Sequence, residues 1–151
     1  MQFFLTILLL SLRIFSLAQS CCIETCNEVN PKIDVEEGRL YQNRRLLTSI
    51  KKNEVLISFK EAFSDSITTC IDGLFFRSDF VKSDSIELGL SNVAFKVTFP
   101  RKQKNMKICF EIKPEKSCIC LQLNRKYRMI KVFRIENRWS IIKTNYVPVY
   151  Y

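Results

Sequence analysis

Seven cysteines stand at positions 21, 22, 26, 70, 109, 118 and 120 of this 151-residue chain, and histidine is absent. These two facts bound the chemistry. Without histidine the usual general base of nucleophilic triads is missing, as is the commonest neutral metal ligand. Cys118-Ile119-Cys120 has the wrong gap for a zinc ribbon. Asp79 and Asp84, two carboxylates in one Ser-rich stretch, fall short of a calcium loop. Glu36-Glu37 reads as a solvated turn. The expectation is no catalytic residue, no metal and no cofactor; any enzyme here would have to work through a carboxylate pair.

The compartment decides what cysteines do. Phe3 to Leu12 is apolar except for Thr6 and Ser11, and Ser16-Leu17-Ala18-Gln19-Ser20 supplies the small residues a signal peptidase needs. The run is too short to span a bilayer and Arg13 interrupts it. Residues 1–20 therefore read as a signal peptide, and 21–151 as one secreted, extracellular domain with no transmembrane segment. In an oxidising compartment cysteines are disulfides first.

Strand phase narrows the pairing. Ile108, Phe110 and Ile112 share one face of a strand, and Ile119, Leu121 and Leu123 share one face of the next. A hairpin across Lys113-Pro114-Glu115-Lys116 that aligns those faces sets Phe110 opposite Ile119 and Cys109 opposite Cys120. Cys118 then lies two residues along, on the same outer face. The economical expectation ties Cys21, Cys22 and Cys26 across that face to Cys109, Cys118 and Cys120, and leaves Cys70 as a buried free thiol. A direct Cys109–Cys120 bridge is the alternative.

Charge is unevenly spread. Residues 21–100 hold 10 Lys and Arg against 12 Asp and Glu; residues 101–151 hold 13 against 3. Two similar motifs stand out, with Arg101, Lys102 and Lys104 in the first and Arg125, Lys126 and Arg128 in the second. Guanidinium forks and clustered ammonium groups suit sulfate and phosphate oxygens, so these six are the candidate polyanion-binding residues, for a sulfated glycosaminoglycan, an anionic membrane surface or an acidic receptor patch. Lys107, Lys131, Arg134 and Arg138 are expected to add to the patch, with Lys51, Lys52 and Lys60 standing off it. A solvated face that keeps the chain soluble is the plainer alternative. Nucleic acid would satisfy the same chemistry, but export argues against it.

The elements that must position these groups read as strands. Val55, Ile57 and Phe59 alternate with other residues, and Val93, Phe95, Val97 and Phe99 alternate more cleanly still. Ile71–Phe76, Ile86–Leu90, Met106–Ile112, Cys118–Leu123, Tyr127–Ile135 and Arg138–Lys143 follow the same style, with Ser78–Ser85 as a polar loop. Tyr146–Tyr151 is a possible edge strand, since Pro148 confines it to an edge. Leu40–Lys52 suits a short helix. Trp139 and Arg134 fall opposite each other if Glu136-Asn137 is a turn, and would form a cation–π pair.

Short strands at regular intervals predict an all-β fold: an antiparallel two-sheet sandwich with a disulfide-tethered N-terminal segment, or a β-trefoil. The function expected is that of a secreted, non-enzymatic binding protein. The first reading is an extracellular signalling or host-interaction ligand, with a cell-surface receptor or sulfated glycosaminoglycan as partner. A carbohydrate-binding or defence module is the second.

Overall fold

The computed structural model describes residues 27–36, 49–60, 63–83, 90–113, 115–135 and 138–145. The expected signal peptide, Cys21, Cys22 and Cys26, most of the helix expected over 40–52, Asp84, all but Leu90 of the strand expected over 86–90, the turn expected at Glu136-Asn137 and the strand expected at 146–151 lie outside them. The described residues form ten strands: β1 (Asn27–Glu28), β2 (Lys32–Glu36), β3 (Glu54–Lys60), β4 (Ser64–Ile71), β5 (Leu74–Lys82), β6 (Leu90–Thr98), β7 (Asn105–Ile112), β8 (Ser117–Asn124), β9 (Met129–Ile135) and β10 (Arg138–Thr144). They form two five-stranded sheets, ordered β1-β8-β7-β4-β5 and β2-β10-β9-β3-β6. The arrangement is two sheets about a shared core, and not the threefold trefoil.

The alternation legible in the sequence is what builds that core. Val55, Ile57, Phe59, Val93, Phe95, Val97, Ile130, Val132 and Ile141 come from one sheet; Ile67, Val81, Ile108, Phe110, Ile112, Ile119, Leu121 and Leu123 come from the other. The Phe59 and Phe110 rings meet edge to face at 5.4 Å between centroids, one from each sheet. Each buried aliphatic or aromatic side chain contributes ~1.5–3 kcal/mol by leaving water.

Strand direction is less regular than expected. β1 runs parallel to β8, β2 to β10 and β3 to β9, so the sheets are mixed. Alternation assigns a residue to a face, but it carries no information about the direction of the neighbouring strand. β2 alternates in sequence, with Lys32, Asp34 and Glu36 against Ile33 and Val35, yet both phases are exposed because it lies at the edge of its sheet.

β4, expected only at Ile71, is a full strand over Ser64–Ile71, and two boundaries also differ. The apolar run Ile71–Phe76 is split by a hairpin turn at Asp72-Gly73, where φ is +49° and +82°. Both central residues in the left-handed region match the twist of the flanking strands, and Asp-Gly is the pair that adopts it most readily. The stretch Ser78–Lys82, expected in a loop, belongs to β5. Its polar residues are accommodated because β5 is an edge strand: Arg77 donates to both oxygens of Asp79, and the Arg77 guanidinium stacks 4.9 Å from the Phe95 ring centre.

The β7–β8 hairpin has the expected register, with Phe110 opposite Ile119, Ile108 opposite Leu121 and Cys109 opposite Cys120. The bonding differs from the leading expectation. Cys109 and Cys120 are bridged directly, with Cα atoms 4.1 Å apart, because directly opposed residues on adjacent antiparallel strands are already within bridging distance. Cys70 is disulfide-bonded and is no free thiol; Cys118 is bonded as well. Cys70 lies opposite Cys109 in the ladder of β4 and β7. It thus sits on the same thiol-bearing face, which its own strand did not reveal because Thr68 and Thr69 gave no clear phase.

Candidate functional site: a cationic end

Following each strand from its first residue to its last shows which turns share an end. β3, β5, β7 and β9 begin where β4, β6, β8 and β10 finish. The turns 51–53, 72–73, 99–104 and 125–128 therefore meet at one end of the two sheets. The backbone ties them there. Phe99 N–H donates to Asn53 O at 2.7 Å, Leu56 N–H to Arg128 O at 2.9 Å, and Asp72 N–H to Lys107 O at 2.8 Å.

All six candidate residues lie at this end. Arg101, Lys102 and Lys104 are exposed in the β6–β7 turn; Arg125 and Lys126 are exposed in the β8–β9 turn, and Arg128 is partly buried beside them. Arg125 joins the two motifs physically. Its Nη2 donates to Pro100 O at 2.7 Å and Arg101 O at 3.3 Å, and its guanidinium stands 5.6 Å from the Phe99 ring centre. Those bonds satisfy turn carbonyls while leaving the charge at the surface.

The second turn is shaped by two asparagines. Asn124 Oδ1 accepts from Lys126 N–H at 3.0 Å, an Asx-type contact that favours the turn. Asn145 accepts from Arg128 N–H and donates to Lys126 O, both at 2.9 Å. Lys126 Nζ lies 5.1 Å from the Tyr127 ring centre.

Sequence reasoning erred on which other cations join. Lys51 and Lys52 sit in the turn before β3, at this end and not off it; β3 is brought here by parallel pairing with β9, which no local pattern announces. Lys107 is exposed on β7 beside the turn. Lys131 and Arg134 do not contribute. Lys131 Nζ is 2.8 Å from Glu36 Oε2. Arg134 is buried and bonds Asp65 Oδ2 at 2.9 Å and Glu115 at 2.6 Å. It is opposite Trp139 as expected, but its guanidinium is held by these carboxylates, and Trp139 packs on Phe63 at 5.9 Å between ring centres. Arg138 begins β10 at the far end.

Two carboxylates lie in or directly after the turns of the cationic end among the described residues: Glu54, which accepts from Lys51 N–H at 2.9 Å and lies 3.9 Å from Lys96 Nζ, and Asp72. Asp72 Oδ1 accepts from Lys107 N–H and Oδ2 from Gln103 Nε2, both at 2.8 Å. It is thus used to hold the β4–β5 tip against the β6–β7 turn. Among the described residues no group of three or more His, Cys, Asp or Glu side chains could hold a metal ion. No helix there is long and apolar enough to cross a membrane.

No protein-family model, curated protein or solved structure matches this chain.

Proposed function

We propose that this is a secreted, non-enzymatic binding protein whose cationic end takes a polyanionic partner, as an extracellular signalling or host-interaction ligand would take a sulfated glycosaminoglycan or an acidic receptor surface. The observation that carries the reading is the convergence of two separated basic motifs on one end, joined by Arg125. Several cations within one Debye length, ~8 Å at physiological salt, act together on a multivalent anion, and binding then releases counterions as it does on nucleic acid. The export reading rests on the apolar leader in the sequence. Disulfide bonding of Cys70, Cys109, Cys118 and Cys120 is compatible with it, since such bonds persist in oxidising compartments. We also infer that Cys70 and Cys118 are the anchors of the N-terminal tether, taking two of Cys21, Cys22 and Cys26.

The test is retention on heparin. Replacing Arg101, Lys102 and Lys104 with Ser should lower the eluting salt sharply and reduce the slope of log affinity against log salt by roughly 2. Replacing Lys82, Lys113 and Lys116 with Ser removes the same charge from the far end. It should leave the slope nearly unchanged. Equal losses from both triples would mean that net charge alone drives retention.

A further inference from the structure

Beside the cations, the same end displays hydrocarbon. Leu74, Phe75 and Phe76 follow the Asp72-Gly73 turn directly and are 58, 49 and 42% exposed. A bulge in the β4–β5 ladder pairs Cys70 with Phe75 and Thr69 with Arg77, so Phe76 is the extra residue and its ring turns onto Phe95, 5.6 Å away between centres. Between the tip and the start of β7 runs an open groove of about 450 Å³, lined by Ile71, Leu74, Phe76, Val97 and Met106, with Lys96 and Gln103 on its wall. Pro100 closes one side of it, and Arg101, Lys102 and Lys104 follow in the next turn.

The tip does not stand apart from those cations. Asp72 binds Lys107 N–H and Gln103 Nε2 through its carboxylate and Lys107 O through its N–H, so the apolar residues and the basic turn are held as one surface. A contiguous exposed apolar patch with a polar rim marks an interaction site. Here the rim is positive, so a complementary occupant is negative and carries hydrocarbon. A sulfated sugar chain offers the charge and nothing that would fill the groove or shield two phenyl rings.

Resting on the reading of this end as a polyanion-binding surface, the geometry points to an anionic phospholipid bilayer as its partner. Leu74, Phe75 and Phe76 enter the headgroup–acyl boundary, while Lys51, Lys52, Arg101, Lys102 and Lys104 meet the lipid phosphates and carboxylates. One weak signal gives only marginal membrane binding and stable attachment takes two; a basic patch plus a short apolar insertion supplies both. Leu and Phe are side chains that an interfacial apolar face uses, and their binding scales with the apolar area that leaves water.

The experiment is sedimentation of the purified protein with phosphatidylcholine vesicles containing none or one quarter phosphatidylserine, run beside heparin chromatography. The wild type should pellet with the anionic vesicles and stay in solution with the neutral ones. The double variant Leu74→Ser, Phe75→Ser, at exposed positions, should lose ~10-fold or more in vesicle affinity, since two apolar side chains no longer leave water, and should elute from heparin as the wild type does. Phe75→Trp gives an independent readout: its emission should move to shorter wavelength on adding anionic vesicles. Unchanged vesicle affinity in the double variant, or no emission shift, overturns insertion and leaves adsorption by charge. Heparin retention without vesicle binding overturns the lipid assignment while the polyanion reading stands. Failure to bind either probe removes both.

Discussion

At one end of the sheets the turns carry Lys51, Lys52, Arg101, Lys102, Lys104, Arg125, Lys126 and Arg128, against the carboxylates of Asp72 and, at the start of β3, Glu54. At the other, the β7–β8 turn sets Lys113 and Lys116 around Glu115, and Arg134 reaches both Glu115 and Asp65. The same residue type thus does different work at the two ends. Arg134, buried among carboxylates, bridges β9 to β4 and to the turn after β7, and its charge is neutralised within the fold. Arg101, Lys102 and Lys104 have no carboxylate partner among the described residues, so their field extends into solvent. The difference lies in whether an acid is within reach, since Coulomb attraction at salt-bridge distance is several-fold stronger where water is excluded.

The largest expected effect sharpens this contrast from the structural end. Arg134→Met should destabilise the protein by ~2–3 kcal/mol, because Asp65 and Glu115 lose the cation that compensates their partial burial. Its eluting salt on heparin should not move. Urea unfolding together with chromatography reads both; lowered retention with unchanged stability would break the division between the ends.

A smaller effect tests the cationic end. Asp72→Asn keeps a side chain that tolerates φ of +49°, but an amide oxygen replaces a carboxylate that accepts from two donors. Stability should fall by ~1 kcal/mol, while heparin elution should move to higher salt because one negative charge leaves the patch. A parallel loss of both would show that the tip must be held in place before the cations can bind.

The smallest effect belongs to Lys60, on β3 away from the cationic turns. Burial, and then the nearby Lys131 ammonium, push its pKa below the ordinary lysine value. A cation so depressed costs stability while protonated. Above its folded pKa the folded state binds fewer protons than the unfolded chain, so stability rises with pH there and levels off once the ordinary lysine pKa of 10.5 is passed. Lys60→Met should therefore stabilise the protein at neutral pH by well under ~1 kcal/mol, the ammonium being partly solvated. The gain should shrink in alkaline melts. A gain that grows with pH would refute the assignment.

Much of the scaffold was legible beforehand, for a local reason. The period-two alternation of Val93, Phe95, Val97 and Phe99, and of Ile108, Phe110 and Ile112, assigns faces, and face alignment alone was enough to set Cys109 against Cys120. The two basic motifs were visible as composition. The Asp-Gly signal at 72–73 was also present and was overlooked within an apolar run.

What the sequence by itself determined is therefore the all-β class, the inward faces of β3, β6, β7 and β8, the β7–β8 register and the two clusters of basic residues, all properties that neighbouring residues settle through backbone geometry and burial. The tertiary structure alone decided which separated segments meet. Parallel pairing of β3 with β9 delivered Lys51 and Lys52 to the cationic end, pairing of β4 with β7 put Cys70 beside Cys109, and the carboxylates facing Lys131 and Arg134 withdrew those cations from it. These outcomes depend on contacts between residues tens of positions apart, whose formation is governed by the packing of the whole core and leaves no periodic trace in either segment.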